Sequence, residues 1–303
     1  MDKINLQPLK CTDKPIFDKF FAANYYENAE YTFTNLFMWR EMMNFRWSVD
    51  ENVLYMFSMD EKTFSAWQPI GAEGNFQDSI TKILRFADEN RGDRQFKFVV
   101  VEKIFADELK NYPHANFSVT AERESFDYVY LAQDLINLAG RKFHGKKNHL
   151  NSFKNEYPNA RYLPITEEII PKCREELNVW AAKHKRDNPN DPFIGYEQAA
   201  IHEIFDHFDR FRLKGGAILL DGKVIAFTFG EKLNSDTAVI HVEKADSNFR
   251  GIYAAINQNF VANEWSDMIY INREEDMGID GLRKAKESYR PVKMVEKFTA
   301  TLV

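Results

Sequence analysis

Between Thr237 and Pro291 the chain reads twice as a strand that runs into a helix start. Thr237–Ala245 predicts a strand, Asp246–Gly251 a tight polar turn, and Ile252–Trp265 an amphipathic helix. Asp267–Asn272 predicts a second strand, followed by an acidic loop and a short basic helix over Asp280–Arg290. Sheets that mix strands with helices take their ligands where strand ends meet helix N-termini. The stretch therefore predicts a cleft and confines the fold to classes in which strands and helices alternate. It does not name a substrate.

The residues before it supply its partners. Asn5–Lys10 predicts a short strand, and Thr12 or Asp13 a helix cap with Pro15 in the first turn. Thr34–Met43 predicts an aromatic-rich helix. Strands over Phe45–Val49 and Val53–Ser58 flank the hairpin signal Asp50-Glu51-Asn52, and Thr63–Pro69 adds another. Phe76, Ile80, Ile83, Leu84 and Ala87 share one helical face within Phe76–Asn90. Phe96–Val101 predicts a central strand, Ile104–Tyr112 a helix and Asp127–Leu131 a strand.

Residues 135–158 change character. Ile136, Phe143, Leu150, Phe153 and Tyr157 fit one face of a long helix. Its other faces carry Arg141, Lys142, His144, Lys146, Lys147, His149 and Lys154, with no acid between Leu135 and Asn155. Gly145 is placed to kink it. The segment 136–158 thus predicts a basic bridge between an N-terminal domain (1–135) and a C-terminal domain (159–303). Beyond it come a strand at Arg161–Ile165 and a helix capped by Thr166. A second helix over Tyr196–Leu213 precedes a hairpin through Asp221-Gly222, and Lys293–Thr301 predicts a final strand.

Both halves follow one order: strand, two helices, antiparallel strands, helix, strand, helix, strand. The repeat lies in the pattern and not in residue identity. That order resembles the GNAT acyltransferase fold. The expectation is an α+β molecule with mixed sheets, made of two GNAT-like domains in tandem.

Composition limits what such a molecule binds. With 40 Lys and Arg against 46 Asp and Glu, a net charge of -6 excludes general polyanion binding, so any such role needs a local basic patch. The N-terminus, Met1-Asp2-Lys3-Ile4-Asn5, has no apolar run after a basic start, and no segment approaches the about 18–20 apolar residues of a membrane span. Cys11 and Cys173 stand far apart without metal-type spacing. The expectation is a cytoplasmic protein with reduced thiols and no metal site.

Four groups could carry chemistry. Asn248-Phe249-Arg250-Gly251 opens a helix, where GNAT enzymes rest the pyrophosphate of acyl-CoA on backbone N–H groups. Against the family pattern, Asn248 stands for Gln or Arg, and bulky Tyr253 stands for a small residue, so Gly251 serves either an anion or a tight turn. Asn272–Gly278 places three acids after a strand, for a base or for ion pairing. Alternation sends Asn272 and Arg273 to opposite faces. On the last helix Arg283, Lys286 and Arg290 share a face, a cationic stripe suited to phosphate. The fourth group is the bridge patch. His241 and Glu243 also point to one face of their strand, where a satisfied core histidine competes with a cleft-lining one.

Two blocks carry a family resemblance. Leu138-Ala139-Gly140-Arg141-Lys142-Phe143-His144-Gly145-Lys146-Lys147-Asn148 is one. Ile271-Asn272-Arg273-Glu274-Glu275-Asp276-Met277-Gly278, with Gly281–Lys286 and Tyr289-Arg290-Pro291, is the other. Tyr31-Thr32-Phe33-Thr34-Asn35-Leu36 fits as well. Together they resemble the phosphatidylglycerol lysyltransferase C-terminal domain family, over roughly Tyr31 to Phe298. The resemblance implies a tandem GNAT-like fold related to the Fem-type aminoacyltransferases. It also implies aminoacyl transfer from aminoacyl-tRNA to an acceptor such as a phospholipid headgroup. The lysyltransferases carry in addition an N-terminal membrane-spanning portion that this sequence does not show, so the acceptor and donor stay open.

Three readings follow: an aminoacyltransferase using aminoacyl-tRNA, an acyl-CoA-dependent N-acyltransferase, and a non-catalytic module binding RNA or an anionic metabolite. For the first two, Asn272 or Tyr289 would orient the carbonyl and Glu243 or Glu275 would act as base. Asn248, Arg250, Gly251, Arg283, Lys286 and Arg290 would hold the donor, which is aminoacyl-tRNA or acyl-CoA. Arg141, Lys142, Lys146 and Lys147 would meet nucleic-acid or lipid phosphate.

Overall fold

A computed structural model describes residues 4–72 and 74–303. Met1–Lys3, part of the stretch read above for a leader, lie outside the described residues. In chain order the elements begin with β1 (Gln7–Pro8), α1 (Lys14–Phe21), α2 (Phe33–Trp39), β2 (Arg46–Asp50), β3 (Val53–Met59) and β4 (Thr63–Ala66). They continue with α3 (Phe76–Asn90), β5 (Gln95–Val101), α4 (Lys103–Lys110), β6 (Phe117–Ala121) and β7 (Asp127–Leu131). Next are α5 (Ala132–Asn137), α6 (His144–Glu156), β8 (Arg161–Pro164), α7 (Ile170–Asp187) and α8 (Phe193–Asp206). Then follow β9 (Lys214–Leu220), β10 (Lys223–Lys232), β11 (Thr237–Ala245), α9 (Ile252–Glu264) and β12 (Tyr270–Asn272). The last are α10 (Asp280–Glu287), β13 (Lys293–Val295) and β14 (Phe298–Leu302).

Local chemistry sets several of these boundaries. Thr32 caps α2, its hydroxyl accepting from the Asn35 N–H at 3.4 Å. Both predicted hairpins close through two residues with positive φ, Glu51 and Asn52 (48° and 65°) and Asp221 and Gly222 (49° and 81°). That is the turn whose twist matches the flanking strands.

The chain forms two units, one running to Phe126 and including Val295–Val303, the other spanning Asp127–Met294. Each holds one seven-stranded sheet, in the orders β1-β2-β3-β4-β5-β14-β6 and β8-β9-β10-β11-β12-β7-β13. In each, one parallel pair (β4 with β5, β11 with β12) is joined through a helix, as a parallel connection requires. The sheets therefore share one topology, and in each the sixth strand comes from beyond the sequential run. β14 is inserted between β5 and β6, and β7 lies beside β12.

This differs from the predicted division in two places. The expected last strand, Lys293–Thr301, is two strands in different sheets. Between them Lys297, 1% exposed, pairs with Glu30 at 3.6 Å within the first unit. The expected 136–158 bridge lies wholly inside the second unit. Its long helix breaks at Leu138 (φ 45°) and Gly140 (φ 83°), while Gly145 sits within α6. Phe143, Leu150 and Phe153 explain the placement: they are buried with Ile252, Ala255 and Phe260 of α9 in that unit's core. Each such ring or branched chain contributes about 1.5–3 kcal/mol when buried, more than a solvated bridge could offer. Among the described residues no helix is long and apolar enough to cross a membrane.

Candidate active site

The parallel pairs behave differently in the two units. In the first, the chain beyond β4 and β5 is stapled together. Glu102 N–H donates to Gln68 Oε1 at 2.9 Å, and Gln68 Nε2 reaches Glu102 Oε2 at 3.5 Å. The Val100 carbonyl accepts from Asn28 Nδ2 (3.0 Å) and the Tyr31 hydroxyl (3.3 Å), which gives Tyr31 of the Tyr31–Leu36 stretch a structural role. In the second unit β11 pairs with β12 only from Thr237 to Val239 and then continues to Ala245 paired on its other edge with β10. The two strands part there, and the chain beyond β12 turns away at Glu274, whose φ is 56°.

Arg273 occupies the parting. Its Nη2 donates to Glu243 Oε1 at 3.1 Å, and Glu243 Oε2 accepts from Asn257 Nδ2 of α9 at 3.1 Å. The guanidinium lies 4.8 Å from the Tyr289 ring centre and 5.7 Å from that of Tyr130, which pack edge to face. Burial disfavours its charge, but Glu243 and the two phenols outweigh that and hold it firmly protonated. Arg273 Nη1 is buried without a hydrogen-bond partner, as is Asn257 Oδ1. A buried donor left unpaired costs about 1–3 kcal/mol.

Lys146 of α6 completes the group. Its ammonium lies 4.0 Å from the centre of the same Tyr289 ring. Burial pushes this amine down to about 8, and Arg273 adds repulsion that Glu243 only partly offsets. The Tyr289 phenol is driven the other way by burial, up to about 12, so it stays neutral and can donate. One carboxylate, two basic groups and a phenol thus share a largely desolvated cluster, an arrangement suited to a carbonyl whose oxygen becomes negative.

The loop that carries Arg273 is held rigidly. Lys286 Nζ donates to the carbonyls of Arg273 (2.5 Å), Glu274 (3.0 Å) and Glu275 (2.5 Å). Burial pushes Lys286 down to about 8, still a cation at neutral pH, and only the ammonium form has three N–H bonds to give. Asp276 accepts both arms of Arg283 (2.9 and 3.0 Å) and the Tyr128 hydroxyl (2.6 Å). Burial works against that carboxylate, but these bonds keep it well below its usual range. His241, 1% exposed, sits between Glu274 Oε1 (2.8 Å) and Glu231 Oε1 (3.1 Å). Burial alone would lower its imidazole, yet the two carboxylates raise it to about 9, so it is an imidazolium at pH 7.

Of the residues singled out in the sequence, Glu243, Tyr289 and Lys146 meet in this cluster. The others do not. Asn272 is fully buried, gives its amide to Asp127 at 3.0 Å and accepts the Glu274 N–H at 2.8 Å, so it braces the strand end instead of facing a carbonyl. Glu275 contributes its carbonyl to Lys286. Arg283 and Lys286 are spent on Asp276 and the loop, and only Arg290 of that stripe is exposed, so no phosphate-binding face forms. The acyl-CoA cradle is also closed. Gly251 (φ 83°) exists for a close approach, because a Cβ there would meet the His149 carbonyl of α6 at 2.1 Å. Asn248 and Arg250 are exposed around it. Arg141 and Lys147 are exposed on the α6 side, while Lys142 pairs with Asp134 at 2.9 Å.

Sequence reasoning missed Arg273 as the centre, along with Tyr130 and Asn257. Arg273 stood among acids and read as a loop ion pair, whereas its partner Glu243 is thirty positions away. The one available signal was the shared face of His241 and Glu243.

Comparison with known proteins bears on the family and the fold. The family model described as phosphatidylglycerol lysyltransferase, C-terminal, matches residues 23–301. A conserved protein of unknown function from Bacteroides thetaiotaomicron VPI-5482 is 34% identical, with a TM-score of 0.90 over 99% of this chain and 100% of that one. The structure of L-PGS from Bacillus licheniformis is 15% identical, with a TM-score of 0.68 over 99% of this chain and 93% of that one, a likeness of fold. The uncharacterized protein MYCGA3080 of Mycoplasmoides gallisepticum (strain R(low / passage 15 / clone 2)) is 23% identical over 59% of this chain and 57% of its own length. With a family match that runs across nearly all of its residues, this chain belongs to the phosphatidylglycerol lysyltransferase C-terminal family.

Proposed function

We propose that this chain transfers an aminoacyl group from aminoacyl-tRNA to a small acceptor bearing an amine or hydroxyl, a phospholipid headgroup among the candidates, at the parting of β11 and β12. The observation that carries the reading is Arg273, a fixed, largely buried cation whose Nη1 is unpaired beside Tyr289. When a nucleophile attacks the ester that joins an amino acid to ribose, the carbonyl oxygen becomes an oxyanion, and a preorganised donor there lowers the barrier. The His149 carbonyl over Gly251 argues against acyl-CoA as donor, since it fills the space where a pyrophosphate would approach the helix start. The exposed Arg141, Lys147 and Arg250 offer phosphate contacts for tRNA. The family's description, a lysyl transfer, supports the same class of reaction.

The test uses total tRNA charged with radiolabelled amino acids, with vesicles of phosphatidylglycerol and phosphatidylethanolamine as acceptor. Loss of label from tRNA and its appearance in lipid are followed together. The wild-type chain accelerates deacylation, and Arg273→Gln slows it about 100-fold or more. Turnover of acetyl-CoA with none of aminoacyl-tRNA would overturn the reading.

A further inference from the structure

We propose that Lys146 is the proton carrier of the transfer, taking the proton from the acceptor's nucleophile and passing it to the ribose oxygen that leaves. The inference rests on the aminoacyl-transfer reading and assigns a base that the reading lacks. Glu243 is less suited to that role, because both its oxygens already accept hydrogen bonds, one from Arg273 and the other from Asn257. The Tyr289 phenol is held neutral by burial and is a donor. Lys146 is the remaining titratable group on the Tyr289 ring. It is partly buried, lies over the ring face at 4.0 Å, and has no hydrogen bond or ion pair among the described residues. An amine that is desolvated and has a guanidinium for a neighbour has its charge disfavoured, so the free base becomes accessible near pH 8, although the ring face it lies over favours the ammonium.

The step balances as follows. The acceptor's nitrogen or oxygen attacks the ester carbon, the new bond forms, and the carbonyl pair moves onto the oxygen facing Arg273. The neutral amine of Lys146 accepts the proton shed by the nucleophile and becomes an ammonium. As the tetrahedral intermediate collapses, the bond to the ribose oxygen breaks, and that oxygen receives the proton from Lys146. The amine is neutral again, and no outside acid or base is consumed.

Two measurements test this. The first needs no substrate: pulse labelling with acetic anhydride across pH 6–11, read by peptide mass spectrometry with the exposed Lys147 as internal reference. Lys146 reaches half-maximal reactivity near pH 8. A Lys146 midpoint equal to that of Lys147 overturns the inference. The second measures transfer from charged tRNA against pH. The wild-type rate rises to a plateau near pH 8. Lys146→Arg keeps the cation but cannot release a proton; it binds tRNA within about two-fold of wild type, loses about 100-fold in rate, and no longer shows that rise. A Lys146→Arg variant with wild-type rate and pH profile also overturns it. If wild type turns over no charged tRNA, the function reading fails and the carrier role falls with it. The labelling arm then separately reports whether the amine is free near neutral pH.

Discussion

Replacing Lys286 with Met separates its two assignments, phosphate contact or internal clamp. The side chain is 8% exposed, and its ammonium is the shared donor for three successive carbonyls. Hydrogen bonds to a charged donor contribute about 1.5–3 kcal/mol each, so the three together are worth roughly 5–9 kcal/mol gross. Against this stands the cost of burying the charge. The fall from 10.5 to about 8 corresponds to roughly 3 kcal/mol. Lys286→Met matches the length of the stem but offers no donor, and the expected loss is about 2–6 kcal/mol. Urea unfolding at pH 7, followed by far-ultraviolet circular dichroism, measures it. The midpoint falls while the dependence on urea is unchanged. Because the freed loop carries Arg273, turnover falls even where the variant is folded. An unchanged midpoint, combined with weaker tRNA binding and a salt dependence reduced by about one phosphate contact, would refute the clamp and restore the phosphate role.

Two further outcomes follow from the same geometry. Gly251→Ala places a Cβ at 2.1 Å from the His149 carbonyl, at a φ of 83° that L-residues disfavour. It lowers stability by at least about 2 kcal/mol by displacing α6 from α9, which thermal unfolding records; a wild-type melting temperature would place α6 elsewhere. His241 has its folded value raised from 6.5 to about 9, so its contribution is complete below pH 6.5 and is lost as pH climbs toward 9. Lys286 and Lys146 act in the opposite sense above pH 8, and Glu176, raised by burial to about 7, acts in the same sense below pH 7, so the clean window is pH 7–8. Stability falls there by about 1 kcal/mol in the wild type and stays flat in His241→Gln.

Element order is a local property, and it was readable. Both hairpin turns, the helix over Phe76–Asn90 and the strand–turn–helix from Thr237 follow from spacing and turn chemistry. The break in the basic segment was not. Gly140 and Gly145 have the same low helix propensity, but the chain bends at Leu138 and Gly140, where Phe143 must turn into the core. Tertiary burial of several kcal/mol overrides the propensity cost of about 1 kcal/mol at Gly145.

The site divides in the same way. By itself the sequence determined two α+β units of one topology, a cleft after Thr237 and the family, because each depends on patterns within a few tens of residues. Only the tertiary structure decided which charges are free. Arg283 and Lys286 look like a cationic stripe until Asp276 and three carbonyls are seen to engage them. Arg273 looks like part of an acidic loop until Glu243, Tyr130 and Tyr289 close around it. Partners distant in sequence set the charge state and reach of each group, and no spacing rule encodes them. The exchanged sixth strands are a further case. β14 enters the first sheet and β7 the second because each sheet leaves an open edge there, which the chain alone does not announce.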